Sequence, residues 1–155
     1  AGITVCGHIG LTPQSSGLLG GHKAQGRTAE AASLVVEDAL AVQQAGARLL
    51  LVEAVPPEVA GYIARRLSIP VYSIGAGPAC DGQLLIVSDL LGQFQAFTPK
   101  FVKKYLNLAG LVTGAMREYC QDVKNGSFPE KEHCYPMVRG EEQKFLARMQ
   151  EKYGE

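Results

Sequence analysis

Ala47-Arg48-Leu49-Leu50-Leu51-Val52-Glu53-Ala54-Val55-Pro56-Pro57 is the stretch with the strongest structural signal in the chain. Leu49 to Val52 is an apolar run without solvent-facing alternation, which is typical of a strand buried on both faces of a parallel sheet. Pro56 and Pro57 cannot continue a hydrogen-bonded ladder, so the strand gives way to a loop at Glu53. The sequence therefore predicts a carboxylate at the carboxyl end of a buried strand, where α/β proteins place their active sites.

Predicted strands and helices alternate on both sides of this stretch. The other predicted strands cover residues 3–6, 69–74 and 83–87. A glycine-rich loop is expected over 15–26, and helices are expected over 28–46, 57–67, 100–108, 111–124 and 140–153. Four strands joined by helices or long crossovers imply parallel pairing with right-handed connections.

Composition limits the class of protein. The 155 residues are 46% hydrophobic and 19% charged, which fits one domain that buries a sizeable core. Lysine plus arginine equals aspartate plus glutamate at 15 each, so the charge does not favour nucleic acid or an anionic membrane. Because no secretory leader, membrane span or disulfide framework is visible, we expect a cytoplasmic protein with reduced cysteines.

Glu53 and His8 are the candidate catalytic pair. Partial desolvation at a strand end raises the pKa of a glutamate toward working pH, which suits a general base. The alternative is a structural carboxylate held by a lysine or a backbone amide. His8 follows the first predicted strand and, as a strand-end histidine, could be a structural hydrogen-bonder. The carboxyl ends of parallel strands meet at one face, so we expect the two side chains to share a cavity.

Two glycine-rich turns admit a weaker interpretation. Residues 74–77 could bring backbone close to a ligand, and 20–23 could bind an anion or act as a lid; a tight turn or flexible loop explains each as well. His, Cys, Asp and Glu show no metal-site spacing along the chain.

A series of short motifs resembles the ketopantoate hydroxymethyltransferase family and covers about residues 1–135. The motifs are Cys6-Gly7-His8-Ile9-Gly10-Leu11-Thr12-Pro13-Gln14-Ser15, Lys23-Ala24-Gln25-Gly26, Val52-Glu53-Ala54-Val55-Pro56, Ile74-Gly75-Ala76-Gly77, Cys80-Asp81-Gly82-Gln83 and Pro99-Lys100-Phe101. The resemblance implies a TIM-type (β/α)8 barrel and a large ring-shaped homo-oligomer. It also implies transfer of a hydroxymethyl group from 5,10-methylenetetrahydrofolate to 3-methyl-2-oxobutanoate, giving 2-dehydropantoate in pantothenate synthesis.

The resemblance also implies roles for particular residues. Glu53 matches the family's proton acceptor, which removes a proton from carbon 3 of the oxo acid while magnesium stabilises the enolate. His8 would hydrogen-bond the new hydroxyl or orient the pocket. Ile74, Leu84 and Ile86, spaced to point inward on the last two strands, would form an apolar wall.

The chain is too short for the whole barrel, which needs eight strands and typically about 250 residues. We expect it to supply the last four β/α units over about residues 1–95, followed by carboxyl-terminal helices over about 96–155, as one domain. No residue matches the family's magnesium ligands, two aspartates and a glutamate, or the lysine that contacts the oxo acid. We therefore expect a second chain or a further segment to complete the barrel. Two alternatives stay open: another 2-oxo-acid lyase or mutase of the phosphoenolpyruvate/pyruvate superfamily, to which the resembled family belongs, and an inactive fragment or assembly subunit.

Overall fold

The computed structural model describes residues 2–18 and 20–154 and divides into two compact units, 1–109 and 110–155. The first unit is an α/β structure, and the second contains helices and irregular chain. Among the described residues, no helix is both long and apolar enough to cross a membrane.

A four-stranded parallel sheet forms the centre of the first unit, with the strands side by side in chain order. The strands are β1 (Cys6–Gly10), β2 (Leu49–Glu53), β3 (Val71–Ile74) and β4 (Gly82–Gln83). Helix α1 (Ala29–Gln44) connects β1 to β2, and α2 (Pro57–Arg66) connects β2 to β3. The predicted α/β class and parallel pairing are confirmed.

Both connecting helices begin at the residues that the sequence predicts, Thr28 and Pro57. The Thr28 hydroxyl accepts a hydrogen bond from the Ala31 backbone N–H at 3.2 Å, which caps α1. Pro57 occupies the first turn of α2, where its missing N–H costs nothing and its fixed φ suits a helix. Arg65 and Arg66 in the last turn complement the negative end of the α2 dipole.

The core lies between one face of the sheet and the two helices. Alternate strand residues such as Ile9, Leu50 and Val71 contact α1 and α2 side chains in a single buried cluster. Gly7 belongs to this face because an added Cβ would lie 2.2 Å from Cγ1 of Val42 on α1. The absence of a side chain at Gly7 therefore lets α1 pack directly against β1.

The other face of the sheet is not fully covered by the described residues. Leu49 and Leu51 are half-buried on it, and Tyr72 is 39% exposed. The prediction that Leu49 to Val52 is buried on both faces is thus met on the helix side only. Apolar side chains remain accessible on the side opposite α1 and α2.

The first predicted strand was placed too early. β1 spans Cys6–Gly10 rather than 3–6, because it pairs with β2 all the way to Gly10 opposite Glu53. The glycines that suggested a loop lie instead in the strand. His8 is consequently a strand residue and does not lie on the following loop.

Two other predicted elements were wrong. Strand β4 ends at Gln83, because the chain turns at Ile86 into a short helix, α3 (Val87–Leu90). Leu84 and Ile86 therefore follow the strand and do not lie on it. Residues 100–107 form no helix, because Tyr105 donates its N–H to the carbonyl of Leu90 at 2.8 Å and not to a carbonyl of its own turn.

Most of the second unit consists of two helices, α4 (Leu108–Asn125) and α5 (Glu141–Tyr153). The chain between them is irregular apart from one 3-10 turn at Lys131–His133, as expected from its sequence. The Phe128 ring packs with its centroid 5.6 Å from that of Tyr119 and 5.1 Å from that of His133. The assignment of the whole chain to one domain stays a prediction.

Candidate active site

Glu53 and His8 come together at the carboxyl end of the sheet. Gly10 lies opposite Glu53 in the parallel ladder, so His8 is two residues back on the neighbouring strand and on the same face. The two side chains meet with Nε2 of His8 3.1 Å from Oε2 of Glu53. An ionised carboxylate can only accept a hydrogen bond, so Nε2 of His8 carries the donated proton when Glu53 is charged.

The carboxyl group of Glu53 is almost buried, with 11% of the side chain exposed. Burial raises the pKa of this carboxyl above that of an ordinary glutamate. The charge and hydrogen bond of His8 and the charge of His22 lower the pKa in opposition, but they do not cancel the effect of burial. Glu53 is therefore a stronger base than a free glutamate, as a proton acceptor requires.

The backbone around Glu53 is held from three sides. The Leu11 N–H donates to the Glu53 carbonyl at 2.9 Å, and the Ala54 N–H donates to the carbonyl of Ile74 at 2.9 Å. The Gln25 N–H donates to the Ala54 carbonyl at 3.0 Å. Ala54 has a φ of 51°, a left-handed conformation that a residue with a Cβ adopts at a cost. These bonds fix the direction in which Glu53 points.

Gly10 makes this arrangement possible. Its φ is 84°, and a Cβ at this position would lie 2.3 Å from the Glu53 carbonyl oxygen and 2.6 Å from Cγ2 of Val55. Only glycine combines this φ with so close an approach to the neighbouring strand.

Glu53 lines a cavity of about 570 Å³. Its wall combines apolar side chains, two aromatic rings and three side chains that are or can become cationic. The lining residues are Leu11, His22, Ala24, Arg27, Glu53, Ala54, Val55, Pro56, Gly75, Phe97, Pro99, Lys100 and Phe101. A cavity is thus present at the carboxyl end of the strands with Glu53 in its lining, but His8, which was expected to share it, is not among the lining residues.

None of the other predicted site residues lines this cavity. His8 contacts Glu53 but is not part of the lining. Ile74 is 3% exposed and lies opposite Glu53 in the ladder with β3. Leu84 and Ile86, past the end of β4, do not line the cavity. Their role in substrate binding, like that of Ile74, stays a prediction.

The glycine turn at 74–77 has a packing explanation. A Cβ on Gly75 would lie 2.4 Å from Cδ1 of Phe101, and one on Gly77 would lie 2.6 Å from Cβ of Pro57. The turn thus brings Phe101 close to the end of β3 and into the wall of the cavity. Close packing against Phe101 and Pro57 therefore explains Gly75 and Gly77.

Sequence reasoning did not assign Arg27, Phe97 or Lys100 to the site. Arg27 lies between β1 and α1, whereas Phe97 and Lys100 follow α3, and no local pattern links them. Lys100 did occur within one of the family motifs, which was the available signal.

The described residues do not by themselves form a magnesium site. Within 2–18 and 20–154, no group of three His, Cys, Asp or Glu residues is placed to hold a metal ion. Magnesium requires near-octahedral oxygen ligation, and Glu53 is the one carboxylate in the cavity lining. Its Oε2 is already engaged by His8. A metal ion here would need ligands from outside these residues.

Comparison with known proteins gives a consistent result. The family model described as ketopantoate hydroxymethyltransferase matches residues 1–131. A 3-methyl-2-oxobutanoate hydroxymethyltransferase from Alkaliphilus metalliredigens is 62% identical over 143 residues, which are 92% of this chain and 50% of the relative. Enzymes of the same name are 50% identical over 135 residues in Syntrophomonas wolfei (87% of this chain, 49% of the relative) and 46% identical over 152 residues in Nitratidesulfovibrio vulgaris (98% and 50%). The chain spans about half the length of the curated relatives it matches.

Proposed function

Because the chain belongs to the ketopantoate hydroxymethyltransferase family, we propose that it forms part of an enzyme that transfers a hydroxymethyl group to 3-methyl-2-oxobutanoate. The donor is 5,10-methylenetetrahydrofolate, and the product is 2-dehydropantoate. The observation that carries the proposal is the position of Glu53: a nearly buried carboxylate of raised pKa, at a strand end, facing a cavity of about 570 Å³.

In this proposal Glu53 is the general base. It removes a proton from carbon 3 of the oxo acid, and the resulting carbon nucleophile forms a bond to the methylene carbon of the folate. Both carbon–nitrogen bonds of that methylene group break to release tetrahydrofolate. One water supplies the new hydroxyl group, and its remaining proton and the proton from carbon 3 end on the two folate nitrogens. Burial keeps the carboxylate poorly solvated, so proton uptake is favoured when the substrate excludes water from the cavity. The rigid backbone around Ala54 supports this role, because proton transfer depends on fixed geometry.

His8 orients the base. The Nε2–H bond to Oε2 leaves Oε1 of Glu53 available for the substrate proton. His8 also lowers the pKa of Glu53 through its charge and hydrogen bond, so it keeps part of the carboxyl population ionised. We place it as a positioning residue that also contacts the hydroxyl of the product.

We propose that magnesium is bound by residues outside the part of the chain that the structure describes. When bound to the oxo acid, a divalent ion would stabilise the negative charge of the enolate. The acidic ligands and the lysine that the resemblance implies have no match in this chain, so we assign them to the segment or second chain that completes the barrel.

The topology supports a half-barrel. Consecutive parallel strands lie side by side, and α1 and α2 pack in one cluster on the same face of the sheet. A doubly wound sheet instead has helices on both faces and a reversal in strand order. The accessible apolar face with Leu49, Leu51 and Tyr72 suits the interior of a barrel whose other four strands are supplied by the amino-terminal half.

The second unit supports assembly into a homo-oligomer. Large apolar side chains of α4, among them Leu111, Met116 and Tyr119, are more than half exposed. Exposed apolar surface of this kind is typical of subunit interfaces. We propose that these residues contribute to contacts between subunits of the complete enzyme.

Turnover tests the proposed function directly. The protein with its barrel completed, supplied with 3-methyl-2-oxobutanoate and 5,10-methylenetetrahydrofolate, should form 2-dehydropantoate, detected by mass spectrometry. Product formation by the wild type and its loss in Glu53→Gln would support the proposal. Undiminished turnover in Glu53→Gln would show that Glu53 is not the general base.

A further inference from the structure

A groove of about 430 Å³ lies between α1 and α2. Val36 and Val59 line it, and because both are half-buried and also pack against the core, they form its floor. Glu37, Glu58 and Tyr62, which also line it, are exposed. The α1–α2 groove therefore combines an apolar floor with two accessible carboxylates.

The two carboxylates of the groove have no cationic partner in the described part of the chain. The ion pairs within 2–18 and 20–154 involve other acidic residues, so no described cationic group lies within 4.0 Å of Glu37 or Glu58. The sequence of α1 contains no lysine, arginine or histidine that could neutralise them. The groove thus suits a partner that presents apolar and basic side chains together.

Completion of the barrel would not fill this groove. A barrel closes by adding strands at the edges of the sheet, which are β1 and β4 among the described strands. The helices that accompany new strands lie beside α1 and α2 in the outer ring of a barrel. The surface between α1 and α2 that faces away from the strands therefore stays open to another subunit.

Helix α5 (Glu141–Tyr153) carries the matching pattern. Phe145, Met149 and Tyr153 recur at every fourth residue and share one face, the apolar stripe of α5. Phe145 is 47% exposed and Tyr153 is 67% exposed. Arg148 and Lys152 also lie one helical turn apart, and they form a basic row next to the apolar stripe.

The acidic residues of α5 do not interrupt this pattern. Glu141 and Glu142 lie in the first turn, and Glu141 accepts a hydrogen bond from Lys144 at 2.7 Å. At about 3.6 residues per turn, Glu151 falls on the side of the basic row away from the apolar stripe. The second half of the helix therefore presents apolar and basic side chains side by side.

A helix of this length needs a surface to pack on. α5 has 13 residues, and isolated helices shorter than about 12–15 residues are only marginally stable in water. In the part of the chain that the structure describes, no residue of α5 is buried. The helix also lies beyond residues 1–131, which the family model matches, so membership of the family does not assign it a partner.

We infer that α5 of one copy of the chain docks into the α1–α2 groove of a neighbouring copy. The apolar stripe packs on the groove floor, and Arg148 and Lys152 lie opposite Glu37 and Glu58. The inference goes beyond the proposed function, because neither surface lines the cavity at Glu53. It also concerns a different surface from the exposed side chains of α4.

Reversal of charge on each side tests the contact. The groove variant carries Glu37→Lys and Glu58→Lys, and the helix variant carries Arg148→Glu and Lys152→Glu. In the protein with its barrel completed, sedimentation measures how subunit association depends on concentration. Each variant alone should associate about tenfold more weakly than the wild type, because two attractive contacts become repulsive. Added salt should weaken association of the wild type.

A mixture of the two variants shows whether the contact joins different copies. In the mixture, the reversed helix meets the reversed groove, and the unchanged helix meets the unchanged groove. Association of the mixture should therefore return to the wild-type level. Wild-type association of each variant alone would overturn the inference. Weakened association that the mixture does not restore would also overturn it, because docking within one chain cannot be rescued by a second copy.

A matched control separates position from charge. Asp38 is exposed on α1 next to Glu37 but does not line the groove. Asp38→Lys changes the charge as Glu37→Lys does, and we expect it to associate like the wild type. Circular dichroism of each variant should show unchanged helical content.

Cross-linking of the wild type provides a measurement that needs no variant. Protein labelled with ¹⁵N and unlabelled protein are mixed at a concentration at which the subunits dissociate, concentrated, and treated with a carbodiimide that joins carboxylates directly to amines. Mass spectrometry should find Lys152 joined to Glu37 or Glu58 in pairs of one labelled and one unlabelled peptide. Absence of these cross-links, or cross-links confined to peptides of the same label, would contradict docking between copies.

Discussion

Nε2 of His8 lies 3.1 Å from Oε2 of Glu53, although the two residues are 45 positions apart in the sequence. The contact exists because β1 and β2 are parallel neighbours with Gly10 opposite Glu53. It joins the candidate base to a group that opposes the effect of burial on its pKa.

The pH dependence of activity should report the influence of His8. Because burial raises the pKa of Glu53, the rate should fall with decreasing pH at a midpoint above that of an ordinary glutamate. His8→Ala removes a charge and a hydrogen bond that lower this pKa, so the midpoint should move to higher pH. His22→Ala, which removes the weaker of the two charge effects, should move it less.

The measurement is the pH profile of substrate hydrogen exchange for the wild type and both histidine variants. His8→Ala should also reduce the maximal rate, though less than Glu53→Gln. An unmoved midpoint and an unchanged rate in His8→Ala would make the histidine purely structural.

Glu53→Gln should leave the fold intact. The raised pKa means that the folded state binds the Glu53 proton more tightly than the unfolded state does, so ionisation of Glu53 destabilises the fold as pH rises through the raised value. Glutamine cannot ionise, and it can still accept a hydrogen bond from His8. At neutral pH the variant should therefore unfold at the same or a higher temperature than the wild type.

Thermal unfolding at pH 5 and pH 8, followed by circular dichroism, checks this expectation. The advantage of the variant should be larger at pH 8. A clear loss of stability in Glu53→Gln at pH 8 would indicate a carboxylate whose main purpose is structural.

Gly10→Ala should disrupt the site through the backbone. The added Cβ would lie 2.3 Å from the Glu53 carbonyl oxygen, and the alanine would have to adopt a φ of 84°. Gly46→Ala is a matched control, because its φ is 99° but an added Cβ meets no atom within 4 Å. We expect a loss of about 1–2 kcal/mol for Gly46→Ala from the left-handed backbone alone, and a larger loss for Gly10→Ala.

Chemical denaturation of the two variants distinguishes the contributions. The difference between them measures the steric contact with β2, and Gly10→Ala should also reduce activity. Equal losses of stability would mean that the close approach of β1 to Glu53 does not constrain the site.

Much of the first unit, residues 1–109, could be predicted from local sequence. The apolar run before Glu53, the Thr28 cap and the proline pair after Val55 specify β2, α1 and α2 with little help from the rest of the chain. β1 could not be placed in this way, because its glycines are explained by contacts with Val42 and the Glu53 carbonyl, which are distant in the sequence.

The composition of the cavity was also beyond local reasoning. Arg27 and Lys100 are 73 residues apart in the numbering, and only the folded chain brings both to the lining with Glu53. The length of β4 was overestimated because Leu84 to Val87 has a strand-like composition. The backbone makes one further hydrogen bond to β3, from the Leu84 N–H to the Ser73 carbonyl, and then turns into α3.

The proposal that a second chain or a further segment completes the barrel predicts how the isolated chain behaves. Residues 1–155 produced alone should self-associate or bind a hydrophobic dye, because the sheet face with Leu51 and Tyr72 would be accessible. Adding the amino-terminal half of the Alkaliphilus metalliredigens relative should suppress dye binding and yield a complex of defined mass. A monomeric, stably folded chain that forms no complex with the added half in native mass spectrometry would contradict the proposal that the chain is half of a barrel.

Deuterium exchange at carbon 3 of 3-methyl-2-oxobutanoate tests the central claim most directly, since it isolates proton removal from every later step. In the completed protein, with magnesium present and folate absent, nuclear magnetic resonance in D₂O should show loss of the carbon 3 proton signal. Glu53→Gln should slow this exchange by about a hundredfold or more, the contribution of a positioned general base. Exchange in Glu53→Gln at the wild-type rate would contradict the assignment of Glu53 as the proton acceptor.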